Sequence, residues 1–143
     1  MPGDEVRARR FVLVDDEDNE RAALHAGRGE SVEMAFAGRN GKVRTALGMT
    51  QSGGPFLAFT DANEIVRVRV DVGTVGEQTI LSFRDEVGRI RTQLMVAADG
   101  ATGLVLADSW GQKRAELRVG ADGHPALSLY DRDGNVIGGA VSD

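Results

Sequence analysis

The sequence has no cysteine and few aromatic residues, and both shortages narrow the classes of protein that it can encode. Without cysteine there are no disulfides or thiolate metal ligands, although a chain of 143 residues can bury a core without crosslinks. No apolar run approaches the roughly 18 residues of a membrane-spanning helix. The net charge of −5 argues against a general attraction to nucleic acid or to anionic membranes. The opening MPGDEVRARR lacks the apolar region of a signal peptide, which predicts a cytoplasmic location and leaves an extracellular one open.

Groups that commonly carry catalysis are equally scarce. The only histidines, His25 and His124, stand beside predicted linkers, and no local pattern brings a serine and a carboxylate toward either of them. The glycine-rich stretches lack the strand–loop–helix context of a phosphate-binding loop. We therefore expect no enzymatic activity, no metal site and no cofactor.

What the sequence does contain is a repeat that runs along almost its whole length. Six apolar anchor residues recur at intervals of 23 or 24: Leu13, Phe36, Phe59, Phe83, Leu106 and Leu129. Eight positions after each of the first five anchors stands an arginine: Arg21, Arg44, Arg67, Arg91 and Arg114. The sixth copy has Ile137 at this position. Six copies in the same register predict a tandem structural repeat.

Each copy has the pattern of a β-hairpin. Apolar and polar residues alternate around the anchor, as in Leu127-Ser128-Leu129-Tyr130, which is the period of a half-buried strand. An Asp-x-x-Gly turn such as Asp85–Gly88 follows, and then a second alternating arm. We expect a four-residue loop in which Phe83 faces Ile90, because this register puts the apolar residues of both arms on one side.

The predicted fold class is all-β, with six tandem β-hairpin repeats of about 23 residues each. The segments between hairpins are too short for crossover helices. A closed pseudo-symmetric arrangement (a barrel, a trefoil-like fold or a propeller-like ring) is favoured over an open β-solenoid stack, because closure leaves few free strand edges. Residues 1–10 are predicted to form an N-terminal extension, and residues 11–143 a single domain.

The turn DRDGN at residues 131–135 could be taken for a calcium loop. Asp131, Asp133 and Asn135 alternate as calcium ligands do, but Ser142 stands where a twelve-residue loop needs a bidentate glutamate. The equivalent turns, such as DSWGQ, keep the turn residues and lose the ligands. The sequence therefore predicts a hairpin turn here.

Two sets of residues are candidates for an interaction site. Aligned hairpins would bring the five repeated arginines into a row, which would serve as an anion or subunit contact or, alternatively, pair with acidic neighbours and keep that face soluble. Trp110 and Tyr130, both beside turns, would suit stacking against a sugar or a partner chain.

The leading hypothesis is a non-enzymatic structural or interaction module that associates with itself, as a homo-oligomer or filament, or with another protein. The motivating observation is a uniform repeat without catalytic groups. The alternative is a carbohydrate-binding or small-molecule-binding module that uses Trp110 and Tyr130. Neither hypothesis involves a nucleic acid or a membrane.

Overall fold

The computed structural model describes residues 3, 5–73 and 77–141, and all of the regular structure in these ranges is β-strand. The strands are β1 (Arg10–Val14), β2 (Glu20–Ala26), β3 (Val32–Ala37), β4 (Val43–Met49), β5 (Pro55–Thr60), β6 (Val66–Asp71), β7 (Thr79–Arg84), β8 (Ile90–Val96), β9 (Thr102–Ala107), β10 (Lys113–Val119), β11 (Pro125–Tyr130) and β12 (Val136–Val141). The all-β prediction is confirmed. Within the described ranges there is no helix of the length and apolarity needed to cross a membrane.

The twelve strands form one antiparallel sheet in which the order of strands follows the chain from β1 to β12. The six predicted hairpins are therefore present, as β1–β2 through β11–β12. In the described part of the chain, each strand contacts only its immediate neighbours in the sheet, so the sheet is a single layer.

The predicted closed arrangement is wrong, because the sheet is open and forms neither a barrel nor a propeller. Four of the five segments between hairpins are turns as tight as those within them, namely those at β2–β3, β4–β5, β8–β9 and β10–β11. At β4–β5 the N–H of Thr50 donates to the carbonyl of Gly54 (2.9 Å), and at β8–β9 the N–H of Ala97 donates to Ala101 (2.8 Å). Such turns pair each hairpin with the next one edge to edge, so the repeat lengthens one sheet.

The predicted four-residue loop is also wrong. The N–H of Asp85 donates to the carbonyl of Arg89 (2.9 Å), and Gly88, with φ at +82°, lies in the left-handed region. These features define a three-residue loop closed by a glycine bulge, a common hairpin connection. Phe83 consequently pairs with Thr92 and not with Ile90.

A second irregularity restores the orientation of the apolar residues. A three-residue loop alone would turn the apolar side of the second arm away from that of the first. Between the pairs Arg84–Ile90 and Phe83–Thr92, however, the second arm contains one extra residue, Arg91, which forms a β-bulge. The same shift occurs in every hairpin, and the extra residues are Arg21, Arg44, Arg67, Arg91, Arg114 and Ile137. The repeated arginine is thus the bulge residue of its hairpin.

Candidate functional site

One face of the sheet carries two continuous rows of side chains, which we call the apolar face. Residues in register across an antiparallel sheet share a face, so each row follows from the strand pairing. The first row is Phe11, Leu24, Met34, Leu47, Leu57, Val70, Leu81, Leu94, Leu104, Leu117, Leu127 and Ala140. The second row is Leu13, Ala22, Phe36, Thr45, Phe59, Val68, Phe83, Thr92, Leu106, Ala115, Leu129 and Gly138. None of these positions holds a charged residue.

The apolar face is open to solvent in the single chain. Leu94 is 46% exposed and Leu117 is 53% exposed, and the phenylalanines of the second row are 41–43% exposed. Among the described residues the buried ones are all small, namely Ala23, Ala58 and Ser82 at 8%, 5% and 2% exposure. No large side chain in the described part of the chain is fully buried. The sheet therefore has an apolar surface without a second layer to cover it.

The total surface area gives a measure of this exposure. The chain exposes 9990 Å². A compact monomer of its mass, 15.2 kDa, would expose about 7,100 Å², so the chain has an excess of about 2,900 Å². Isolated apolar residues are normal on protein surfaces, whereas the apolar face is contiguous along the whole sheet.

The opposite face is mixed, with mostly small or polar residues in its central row and large apolar ones such as Phe56, Ile80 and Met95 in the row beside it. Its central row runs Val12, Ala23, Ala35, Ala46, Ala58, Arg69, Ser82, Gln93, Val105, Glu116, Ser128 and Gly139. Arg69 lies over the ring of Phe56, with 4.5 Å from the guanidinium carbon to the ring centre, and forms an ion pair with Asp71 at 2.7 Å. The two rows of the apolar face therefore carry no charge, whereas the central row of the opposite face carries Arg69 and Glu116.

The hairpin turns are held by their aspartates. Asp108 accepts hydrogen bonds at Oδ1 from the N–H groups of Trp110 (2.9 Å) and Gln112 (3.1 Å). Burial raises the pKa of Asp108, but these two bonds and the Arg114 guanidinium outweigh it and leave the pKa below its ordinary value. Asp131 accepts in the same way from Asp133 (2.8 Å) and Asn135 (2.9 Å). The DRDGN segment is a hairpin turn, as predicted.

The bulge arginines connect successive hairpins. Arg91 pairs with Asp85 of its own turn at 3.9 Å and donates from Nε to the carbonyl of Ala107 in the next hairpin at 3.0 Å. Equivalent ion pairs join Arg21 to Asp15 (3.4 Å), Arg67 to Asp61 (3.2 Å) and Arg114 to Asp108 (2.6 Å). Arg44 differs because its turn has Gly38 where the others have aspartate. Four of the five arginines, Arg21, Arg67, Arg91 and Arg114, thus join their own turn to the next hairpin, and a role for the row in contacting a partner stays a prediction.

Trp110 and Tyr130 have different surroundings. Trp110 is at a turn and 67% exposed. The hydroxyl of Tyr130 donates to Oε2 of Glu116 (3.0 Å), and the ammonium of Lys113 lies 4.5 Å from its ring centre. The hydrogen bond from Lys113 lowers the pKa of Glu116. Burial raises this pKa and the hydrogen bond from Tyr130 lowers it, and the result lies below the ordinary value. A shallow groove of about 320 Å³ is lined by Tyr130 and His124 but not by Trp110, so the structure does not combine the two aromatic residues in one described cleft.

Sequence reasoning identified the residues of the apolar face but assigned them to a core. The missed signal was the spacing of the segments between hairpins. Thr50–Gly54, Ala97–Ala101 and Gly120–His124 have the length and the left-handed glycine of a tight turn, which predicts one continuous antiparallel sheet. No protein-family model matches the chain, and no curated protein matches it significantly in sequence.

Proposed function

We propose that this protein is a non-enzymatic β-repeat module whose role is structural or interactive, and that it associates with itself. The observation that carries the proposal is the uncovered apolar face of a single-layer sheet. Domains normally need two packed layers to bury their apolar surfaces, and this chain supplies one layer in its described part.

The scale of the exposed surface supports association as the normal state of the chain. Stable interfaces bury about 1,200–2,000 Å² in total, and obligate ones about 2,000–5,000 Å². The excess of about 2,900 Å² on this one chain is large enough for an interface of the obligate kind. The bulge arginines support a structural role, because Arg67 and Arg91 each donate to a backbone carbonyl of the next hairpin.

Light scattering coupled to size-exclusion chromatography, over a series of concentrations, tests the proposal. We expect a homo-oligomer whose mass is a multiple of 15.2 kDa and whose dissociation appears only on dilution. A folded, strictly monomeric protein across the series would contradict it. Circular dichroism on the same samples shows whether the strands are present in each state.

A second candidate function rests on the exposure of Trp110. A turn-tip Trp that is 67% exposed is suited to stacking on a sugar ring or a partner side chain. Titration with defined oligosaccharides, monitored by the fluorescence of this single Trp, separates the two candidates. Saturable quenching by one sugar, together with calorimetric binding of the same sugar that is lost in Trp110→Ala, would favour the binding module, and a flat titration would count against it.

A further inference from the structure

We infer that the occupant of the apolar face is the apolar face of a second copy of this chain, so that two single-layer sheets form a face-to-face β-sandwich. This inference rests on the proposed function, and it adds that the apolar face is the contact surface and that the two sheets pack face to face. Edge-to-edge pairing of sheets would also satisfy self-association, but it would leave both apolar faces in water.

The area of the face matches the size of an obligate dimer interface. Twelve strands about 4.8 Å apart and about six residues long, at roughly 3.3 Å per residue, span roughly 58 by 20 Å, or about 1,150 Å². Two such faces in contact would remove about 2,300 Å² from water, which is within the range of about 2,000–5,000 Å² for obligate dimers. One copy thus supplies a second layer of the right extent, with none of the face left over.

Charge also favours a copy as the partner. Both molecules of a homodimer carry the same net charge of −5, so their contact surfaces must avoid bringing like charges together. The two rows of the apolar face contain no ionisable side chain, and the central row of the opposite face contains Arg69 and Glu116. The two rows of the apolar face can meet the same rows of a copy without burying a charge, whereas the central row of the opposite face cannot.

The repeat makes the face complementary to itself. The anchors recur every 23 or 24 residues, and each repeat adds one hairpin, so large and small side chains alternate along the second row at a constant spacing, as in Phe59, Val68, Phe83 and Thr92. A two-fold related copy presents the same spacing, and its phenylalanines can lie over the smaller residues of the first chain. Stacked sheets pack in this way about 10 Å apart, with side chains interdigitated.

The inference is tested by placing the same charge on the two faces of one strand. Leu94→Arg adds a charge to the apolar face, and Gln93→Arg adds it to the opposite face one residue earlier. On light scattering over a dilution series, we expect Leu94→Arg to raise the dissociation constant at least tenfold and Gln93→Arg to leave it within about twofold. If the wild type is oligomeric and Leu94→Arg assembles as tightly, the face-to-face inference is wrong while the proposed function stands. A monomeric wild type would overturn both.

A milder pair of variants covers the case in which Leu94→Arg fails to fold. The natural chain has no cysteine, so a single introduced thiol is the only one present. We expect the thiol of Leu94→Cys to react with a maleimide at least tenfold more slowly in concentrated, assembled protein than after dilution. The thiol of Gln93→Cys should react at the same rate in both. Equal concentration dependence for the two variants would overturn the inference.

Discussion

Replacing Leu117 with alanine should weaken assembly far more than it alters the single chain. Leu117 is 53% exposed on β10, so about half of its surface remains available to a partner. Burying a whole leucine contributes about 1.5–3 kcal/mol, and the exposed half therefore about 0.8–1.6 kcal/mol. Alanine retains part of this, which leaves a loss of about 0.5–1.2 kcal/mol per chain. Both chains of a dimer carry the change, so the dimer loses about 1–2.5 kcal/mol and the dissociation constant rises about 5- to 70-fold.

The matched control is the next residue on the same strand. Arg118 points to the opposite face, and Arg118→Ala should change the dissociation constant by no more than about twofold, because a side chain away from the proposed contact affects the free and the assembled chain alike. Sedimentation velocity over a dilution series gives both constants. Equal shifts for the two variants, or no shift for Leu117→Ala, would refute the assignment of the interface to the apolar face.

Three further predictions concern the sheet itself, each measured by denaturant unfolding at a fixed protein concentration. Five turn aspartates have pKa values below the ordinary 3.8, namely Asp15, Asp61, Asp85, Asp108 and Asp131. The stability that their ionised forms give to the fold is therefore complete above pH 3.8 and is lost as the pH falls below it. A denaturant midpoint that stays the same from about pH 5 to about pH 2.5 would contradict this. Gly111→Ala should destabilise by about 1–2 kcal/mol because φ is +81° with open space around it, whereas Gly138→Ala, without a positive φ, should not. Arg91→Ala should cost about 1 kcal/mol after allowance for its 39% exposure, and Arg44→Ala, which lacks a turn aspartate, should cost less.

The strands and their number could be predicted from the sequence because both depend on local patterns. Alternation around the anchors marks each strand, and Asp-x-x-Gly marks three of the six hairpin turns. Even the ambiguous stretch ERAALHA, rich in helix-forming residues, is predicted as a strand by its position in the repeat and is β2 in the structure. The repeat therefore identifies a strand that the residues of this one copy leave ambiguous.

Register and closure could not be predicted, for two physical reasons. A loop of three residues and one of four differ by a single position, and the bulge at Arg91 compensates for that difference without any signal in the apolar pattern. Closure depends on the accumulated twist and coiling of all strands, which no single repeat encodes. The Arg–Asp pairs were anticipated as one interpretation of the arginine row, but their connection to the next hairpin depends on the bulge geometry.

The two faces together would limit the proposed assembly to two layers. A third sheet would have to pack on the charged face, where Arg69 and Glu116 occupy the central row and Arg118 lies beside it. Burying such groups against a copy of themselves costs several kcal/mol for each uncompensated ion. Glu116 already forms an ion pair with Lys113 of its own chain, so it needs no partner from a third sheet. In the proposed sandwich, the same apolar rows that bring two sheets together would therefore end the stack at a pair of layers.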